Sequence, residues 1–283
     1  MNGCPPLSGA TRLCALIGDP VAHSLSPLLH EAAYAALGVD LRYLAFSVAP
    51  GEAAAALSGA AALGLVGLSV TTPHKDGIAA AADTRSAVVE RLGAANTVVF
   101  RQGLSVAEST DGPGLLDDLA RALSFSPAGA RCAVLGAGGA ARGVVVALAD
   151  GGAESVLVVN RTPARARTAA ALAGERGRVG EAAELGGVDL VVNATSLALQ
   201  AGGEAEALGA SLAAALRPGQ LAVDLAYHPA RSPFLAAAAT RGATVRNGLG
   251  MLVHQAARQV ELFTGGEAPV AAMWAAVGER PTS

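Results

Sequence analysis

The chain has 283 residues, which fits two domains of ordinary size. Hydrophobic residues make up 52% of it, with 20 Lys and Arg against 23 Asp and Glu, for a net charge of −3. No basic run or aromatic–basic interleaving occurs, which argues against a nucleic-acid partner. The mean hydropathy of +0.43 rests largely on alanine, in runs such as Ala53–Ala56 and Ala236–Ala239. No stretch supplies the roughly 20 strongly apolar residues of a membrane-spanning helix. Met1 to Leu16 has no basic segment followed by a long apolar run, so no secretory signal is expected. Three cysteines without CxxC spacing fit free thiols in a reducing cytoplasm better than a disulfide framework or a metal site. The five histidines, His23, His30, His74, His228 and His254, lack metal-ligand spacing and read as local hydrogen-bonding groups. No metal is expected.

Short apolar, β-branched runs alternate with alanine-rich helical runs, the pattern of an α/β fold with largely parallel sheets. Strands are expected at Leu13–Ile17, Arg42–Phe46, Leu65–Val70 and Asn96–Phe100. Helices are expected at Pro27–Leu37, Glu52–Leu63 and Thr84–Arg91. A second unit begins near Gly112. It reads as helix Pro113–Leu123, strand Cys132–Leu135, helix Ala140–Asp150, strand Ser155–Val159 and helix Pro163–Ala173. Strands Val188–Val192, Leu221–Leu225 and Ala243–Val245 follow, then helices Gly248–Phe263 and Pro269–Val277. Leu199–Gly209 reads as a mobile loop or a weak helix. No internal repeat of solenoid period is present.

The strongest local signal is Gly136-Ala137-Gly138-Gly139-Ala140-Ala141, following a strand and opening a helix. The first glycine permits a tight turn, the second lets backbone approach a pyrophosphate, and Ala141 allows close helix–strand packing. Helix N-terminal amides then attract the phosphates. A glycine turn with no ligand is the bland alternative. The next strand ends in Asn160-Arg161-Thr162-Pro163-Ala164-Arg165, without the acidic residue of an NAD site. Arg161 and Arg165, four residues apart, suit a 2′-phosphate, which points to NADP. Otherwise they are solvated surface charges. Thr162 is expected as N-cap, with Pro163 in the first turn.

Ser24 and Ser26 precede a helix, with Ser26 expected as N-cap and Pro27 at the first helical position. Two hydroxyls at a helix N-terminus can bind a carboxylate, or merely cap. Thr71 and Lys75 follow another strand, where open α/β sheets bind ligands. Asp111 falls at the expected junction between the units, and junctions are preferred ligand sites. A Lys75–Asp111 pair across it could transfer a proton.

Taken in order, His23-Ser-Leu-Ser-Pro27, Val70-Thr-Thr-Pro-His-Lys75, Gly93-Ala-Ala-Asn-Thr97, Thr110-Asp-Gly112, Gly136–Ala140, Asn160-Arg-Thr162, Asp224-Leu-Ala-Tyr227 and Gly248-Leu-Gly-Met-Leu-Val-His-Gln255 resemble the shikimate dehydrogenase family along nearly the whole chain. The resemblance implies an α/β substrate domain and a Rossmann-type NADP-binding domain. Residues 1–111 with 247–283 would form the first, discontinuous because the last helices return to it, and 112–246 the second. It implies NADPH-dependent, reversible reduction of 3-dehydroshikimate to shikimate, in aromatic amino acid biosynthesis. Lys75 would be the acid/base with Asp111 as partner. Ser24 and Ser26 would hold the carboxylate. Thr71, Asn96, Asp111 and Gln255 would bind ring hydroxyls, with Tyr227 nearby. Gly136, Ala137, Gly138, Gly139 and Ala140 would cradle the pyrophosphate, and Asn160, Arg161, Thr162 and Arg165 the adenosine phosphate. Leu225 and Gly248 would flank the nicotinamide.

The chain departs from the family pattern at Ser69 and Ser109, where Asn is usual, and at Ala198-Leu199, where Gly-Met is usual. These departures leave a quinate or aminoshikimate dehydrogenase open. A non-catalytic NADP-binding paralogue is a further alternative, and a folate-linked methylene dehydrogenase a remote one. The expected partners are a small-molecule substrate and no membrane, with homodimerisation open.

Overall fold

The computed structural model describes residues 5–195 and 203–278. The chain divides into two units, one running to Gly114 and resuming at Leu252, the other spanning Leu115–Met251.

The first unit opens with β1 (Arg12–Gly18), α1 (Ser26–Leu37), β2 (Leu41–Ser47), α2 (Ala53–Ala62), β3 (Gly67–Val70) and α3 (Lys75–Ala81). There follow β4 (Thr84–Arg85), α4 (Ala87–Leu92), β5 (Thr97–Arg101), β6 (Leu104–Glu108) and the start of α5 (Asp111–Leu123). Its sheet has the order β2-β1-β3-β5-β6-β4. Strand β1 pairs parallel with β2 and β3, but β5 runs antiparallel to both β3 and β6. Most pairings in this sheet are parallel, as expected, and β5 is the antiparallel exception. The cause is local. Gln102 (φ 52°) and Gly103 (φ 79°) reverse the chain in a two-residue hairpin whose turn needs positive φ at both positions.

The helix expected over Thr84–Arg91 is corrected. Thr84 and Arg85 pair with Val106 and Ala107 as a short strand, and the helix starts at Ala87 with Ser86 in extended conformation before it. One face of the sheet is sealed by α2, α3 and α4, which bury Leu57, Ile78 and Val89 against Ala15, Ile17, Leu68 and Val98.

The second unit contains β7 (Arg131–Leu135), α6 (Gly139–Asp150), β8 (Ser155–Val159), α7 (Pro163–Ala171), β9 (Gly177–Val179), β10 (Leu190–Asn193), α8 (Gly203–Ala213), β11 (Leu221–Asp224), α9 (Pro233–Thr240) and β12 (Thr244–Arg246). Helices α10 (Leu249–Thr264) and α11 (Val270–Ala276) complete the chain, and α1 packs against α11. Every pairing in the second sheet is parallel, in the order β12-β11-β10-β7-β8-β9. Counted within the unit from β9, that is the doubly wound 3-2-1-4-5-6 arrangement. The strands read as continuous apolar runs because both faces are covered. Cys132, Val134, Val156, Val158 and Val192 enter one core with α5, α6 and α7. Their neighbours Ala133, Leu135, Leu157 and Val191 enter the other with α8 and α9. Each buried methylene contributes about 0.8 kcal/mol, so these alternating branched residues stabilise the sheet from both sides. Part of the segment read as loop or weak helix, from Gly203 on, is helical, and 196–202 lie outside the described residues, as do the departures at Ala198 and Leu199. No helix among the described residues is long and apolar enough to cross a membrane.

Candidate active site

The residues singled out around Lys75 converge at one end of the first sheet. Thr71 follows β3, Asn96 precedes the antiparallel β5, and Asp111 opens α5 just after β6. Reversing β5 thus brings its first residues to the end where β1, β3 and β6 finish. Lys75, the first residue of α3, places Nζ 2.5 Å from Asp111 Oδ2, with the side chains 14% and 5% exposed. The two meet within the first unit, which corrects the expectation of a pair reaching across a junction. Such shielding from water strengthens a charged hydrogen bond.

Asn96 joins this pair to its surroundings. Its Nδ2 lies within hydrogen-bond distance of Asp111 Oδ1 (2.8 Å), Thr110 Oγ1 (2.9 Å) and Gln255 Oε1 (3.0 Å), three acceptors that share its two hydrogens. Its Oδ1 accepts from Thr110 N–H (2.8 Å) and the Thr97 hydroxyl (2.9 Å). Gln255 comes from α10, which lies so close to the start of α5 that a Cβ at Gly114 would sit 2.6 Å from the Gln255 nitrogen. Thr71 packs as tightly, its methyl filling the place a Gly18 Cβ would take.

At the start of α1 the expected capping is corrected. Leu25, not Ser26, is the N-cap, and Pro27 is the second helical residue. Ser24 Oγ instead accepts from Ser26 N–H at 3.2 Å, because a serine side chain reaches the amide two residues on. Ser24 and Ser26 remain adjacent at the helix start, half-buried and buried. Thr162 is the N-cap of α7 as expected, with Pro163 next, but its hydroxyl makes no capping bond.

In the second unit, Gly136 follows β7 with φ 110°, a conformation suited to glycine. A Cβ there would lie 3.0 Å from the Ala194 carbonyl oxygen beyond β10. Gly136 therefore sits where β7 and β10 diverge, the switch point at which doubly wound sheets bind nucleotides. Gly138 is the N-cap of α6, makes no side-chain capping bond and faces open space. This glycine turn with helix amides behind it fits a pyrophosphate. Arg161 and Arg165 are exposed beyond β8, and Asn160 Nδ2 fixes the turn by donating to the Thr162 carbonyl (3.0 Å). The residues present fit NADP.

Sequence reading missed the buried supports. Asp224 accepts from Asn193 Nδ2 (2.8 Å), the Ser232 hydroxyl (2.6 Å) and Ala226 N–H (3.0 Å), holding the turn that carries Leu225 and Tyr227. Burial, outweighing these bonds, raises its pKa above the usual carboxylate value. Gly248 lies directly against Leu225, where any Cβ would collide with the carbonyl oxygen. The parallel register of β10 and β11 sets Asn193 beside Asp224, and that pairing is not visible in either segment alone.

Comparison with known proteins identifies the family. Residues 16–98 match the shikimate dehydrogenase substrate binding domain, 118–227 the shikimate/quinate 5-dehydrogenase model, and 248–277 the shikimate 5′-dehydrogenase C-terminal domain. The chain is 47% identical over 277 residues to the shikimate dehydrogenase (NADP(+)) of Moorella thermoacetica, covering 94% of this chain and 92% of that one. Among solved structures, the Thermus thermophilus shikimate 5-dehydrogenase in complex with NADP(H) and shikimate superposes with a TM-score of 0.83 at 33% identity, covering 94% and 98% of the two chains. The Listeria monocytogenes enzyme in complex with shikimate and NAD gives 0.84 at 29% identity, covering 96% and 98%. This chain belongs to the shikimate dehydrogenase family.

Proposed function

We propose that this chain catalyses the reversible NADP-dependent reduction of 3-dehydroshikimate to shikimate, the step that serves aromatic amino acid biosynthesis. The observation that carries the reading is the shielded Lys75–Asp111 pair, tied through Asn96 to Gln255. Lys75 gives a proton to the substrate oxygen as the carbonyl is reduced, and takes it back in the oxidative direction. Asp111 holds the ammonium in place with one carboxylate oxygen while Asn96 occupies the other. Asn96, Gln255 and Thr71 offer donors and acceptors to ring hydroxyls, and Ser24 and Ser26 take the carboxylate, with Tyr227 completing the set. When bound, the nicotinamide cofactor supplies or accepts the hydride. Gly136–Ala140 would hold its pyrophosphate through backbone amides, and Asn160, Arg161, Thr162 and Arg165 its 2′-phosphate. Leu225 and Gly248 would border the nicotinamide.

In this reading residues 1–111 with 247–283 form the substrate domain and 112–246 the cofactor domain. The enzyme works in the reducing cytoplasm, where Cys14 and Cys132, buried and raised to about 11 and about 12, stay protonated thiols. Light scattering decides between monomer and homodimer. The deciding assay follows reduced nicotinamide with shikimate or quinate, each with NADP⁺ or NAD⁺. Preference for shikimate with NADP⁺ is expected. Activity chiefly with quinate moves the chain to that substrate, and silence in all four mixtures removes the reading.

A further inference from the structure

Behind Asn96 lies a second, wholly buried set of polar groups that the proposed chemistry does not touch. Gln259, one turn beyond Gln255 on α10, is 4% exposed. Its Nε2 donates to the Asn96 carbonyl oxygen (3.2 Å) and to Thr97 Oγ1 (2.9 Å). A carbonyl can only accept, so the amide orientation of Gln259 is fixed. Its Oε1 then faces the Ser69 hydroxyl (2.8 Å), which donates to it, and His30 Nε2 (3.3 Å). His30 must carry its proton on Nε2, leaving Nδ1 to accept from the Tyr34 hydroxyl (3.3 Å). The ring stacks on Tyr43 at 4.0 Å and 11°, and burial pushes its pKa down to about 3, so it stays neutral.

Every bond in this set points the same way. Tyr34 donates to His30, His30 to Gln259, Gln259 to Thr97, Thr97 to Asn96, and Asn96 to Asp111. Thr97 spends its one hydroxyl hydrogen on Asn96 Oδ1 because Gln259 fills its acceptor side. With Oδ1 committed to Thr97 and to the Thr110 N–H, Asn96 must turn Nδ2 toward Asp111 and Gln255.

We infer that Gln259, acting through Thr97, is a positioning residue that sets the Asn96 amide and through it the Lys75–Asp111 pair. Ser69, where the family pattern has Asn, belongs to this support: it is 3% exposed and its hydroxyl is committed to Gln259. The departure at 69 thus bears on how the site is held. The inference rests on the proposed dehydrogenase activity.

Thr97→Val keeps the shape of the residue and removes the hydroxyl, Thr97→Ser keeps the hydroxyl, and Gln259→Met keeps length and volume without polar atoms. Each full-length variant is assayed for shikimate oxidation by NADP⁺, and shikimate affinity is measured by titration calorimetry without cofactor. Thr97→Val and Gln259→Met should each lower kcat/KM for shikimate about tenfold, equivalent to about 1.4 kcal/mol, with an unchanged KM for NADP⁺. Thr97→Ser should restore the wild-type value. The double variant should be no worse than either single, since both act along one path. Should one variant fail to fold, the other reads the effect. Folded variants with wild-type kcat and shikimate KM, or with NADP⁺ and shikimate constants shifted together, overturn the inference and leave the activity standing. A wild-type protein silent with shikimate and NADP⁺ removes the activity itself, and the inference with it.

Discussion

In the first unit the ends of β3, β5 and β6 carry side chains that bind one another; in the second the ends of β7 and β10 come together through backbone. Around Lys75 and Asp111, an ammonium, a carboxylate, two side-chain amides and the Thr110 hydroxyl, from segments far apart in sequence, share hydrogen bonds of 2.5–3.0 Å. Around Gly136 the working parts are a positive φ, a close carbonyl and the bare start of a helix. A site of side chains is tuned by its supports and loses function by degrees. A site of backbone depends on one or two residues having no side chain at all.

Four substitutions sharpen that contrast. The largest effect should follow Lys75→Ala, which removes the proton donor: turnover should fall by about 10²–10⁴-fold while the shikimate Kd stays near wild type. Near-normal turnover in steady-state assays would break the assignment. Next, Gly136→Val places a β-branched residue at φ 110° against the Ala194 carbonyl, costing about 1–3 kcal/mol in backbone strain. It should abolish saturable NADP⁺ binding in fluorescence titrations yet leave shikimate binding to the first unit intact. Loss of both would show that the two sites do not fail independently.

Arg161→Ala should act more narrowly. It removes a planar donor suited to a 2′-phosphate, so kcat/KM for NADP⁺ should drop about tenfold while that for NAD⁺ hardly changes. An equal loss with both cofactors would place Arg161 elsewhere. The last effect is on stability and leaves the two sites unaltered. The His30 pKa is lowered from 6.5 to about 3 by burial, so the unfolded chain takes up a proton that the folded chain refuses. Its contribution is complete above about pH 6.5 and erodes as pH falls toward 3, by at most about 1.4 kcal/mol per pH unit. Urea midpoints measured between pH 4 and 8 should show this slope, and His30→Gln should flatten it.

Much of the second unit could be read directly. Its strands are short apolar runs, and its glycine turn and the Asn160–Arg165 segment are each one contiguous string. The first unit was less legible. The residue types Lys75, Asn96, Asp111 and Gln255 stood out, but the β5–β6 hairpin and the short strand at Thr84 did not, because Gln102-Gly103 is not a common hairpin dipeptide and Thr84 pairs with Val106, well beyond its local window. Nor could His30 be recognised as more than a local hydrogen-bonding group, since its partner Gln259 lies 229 residues away.

The sequence by itself determined the α/β alternation, the nucleotide-binding turn and the chemical types at the site, because each is written in adjacent residues whose spacing matches a backbone period. Only the tertiary structure decided that Lys75 and Asp111 meet inside one unit, that Asn96 turns its amide toward them, and that Ser69 and Gln259 stand behind it. Hydrogen bonds are directional and short, so which groups satisfy one another is settled only when distant segments are brought within about 3 Å.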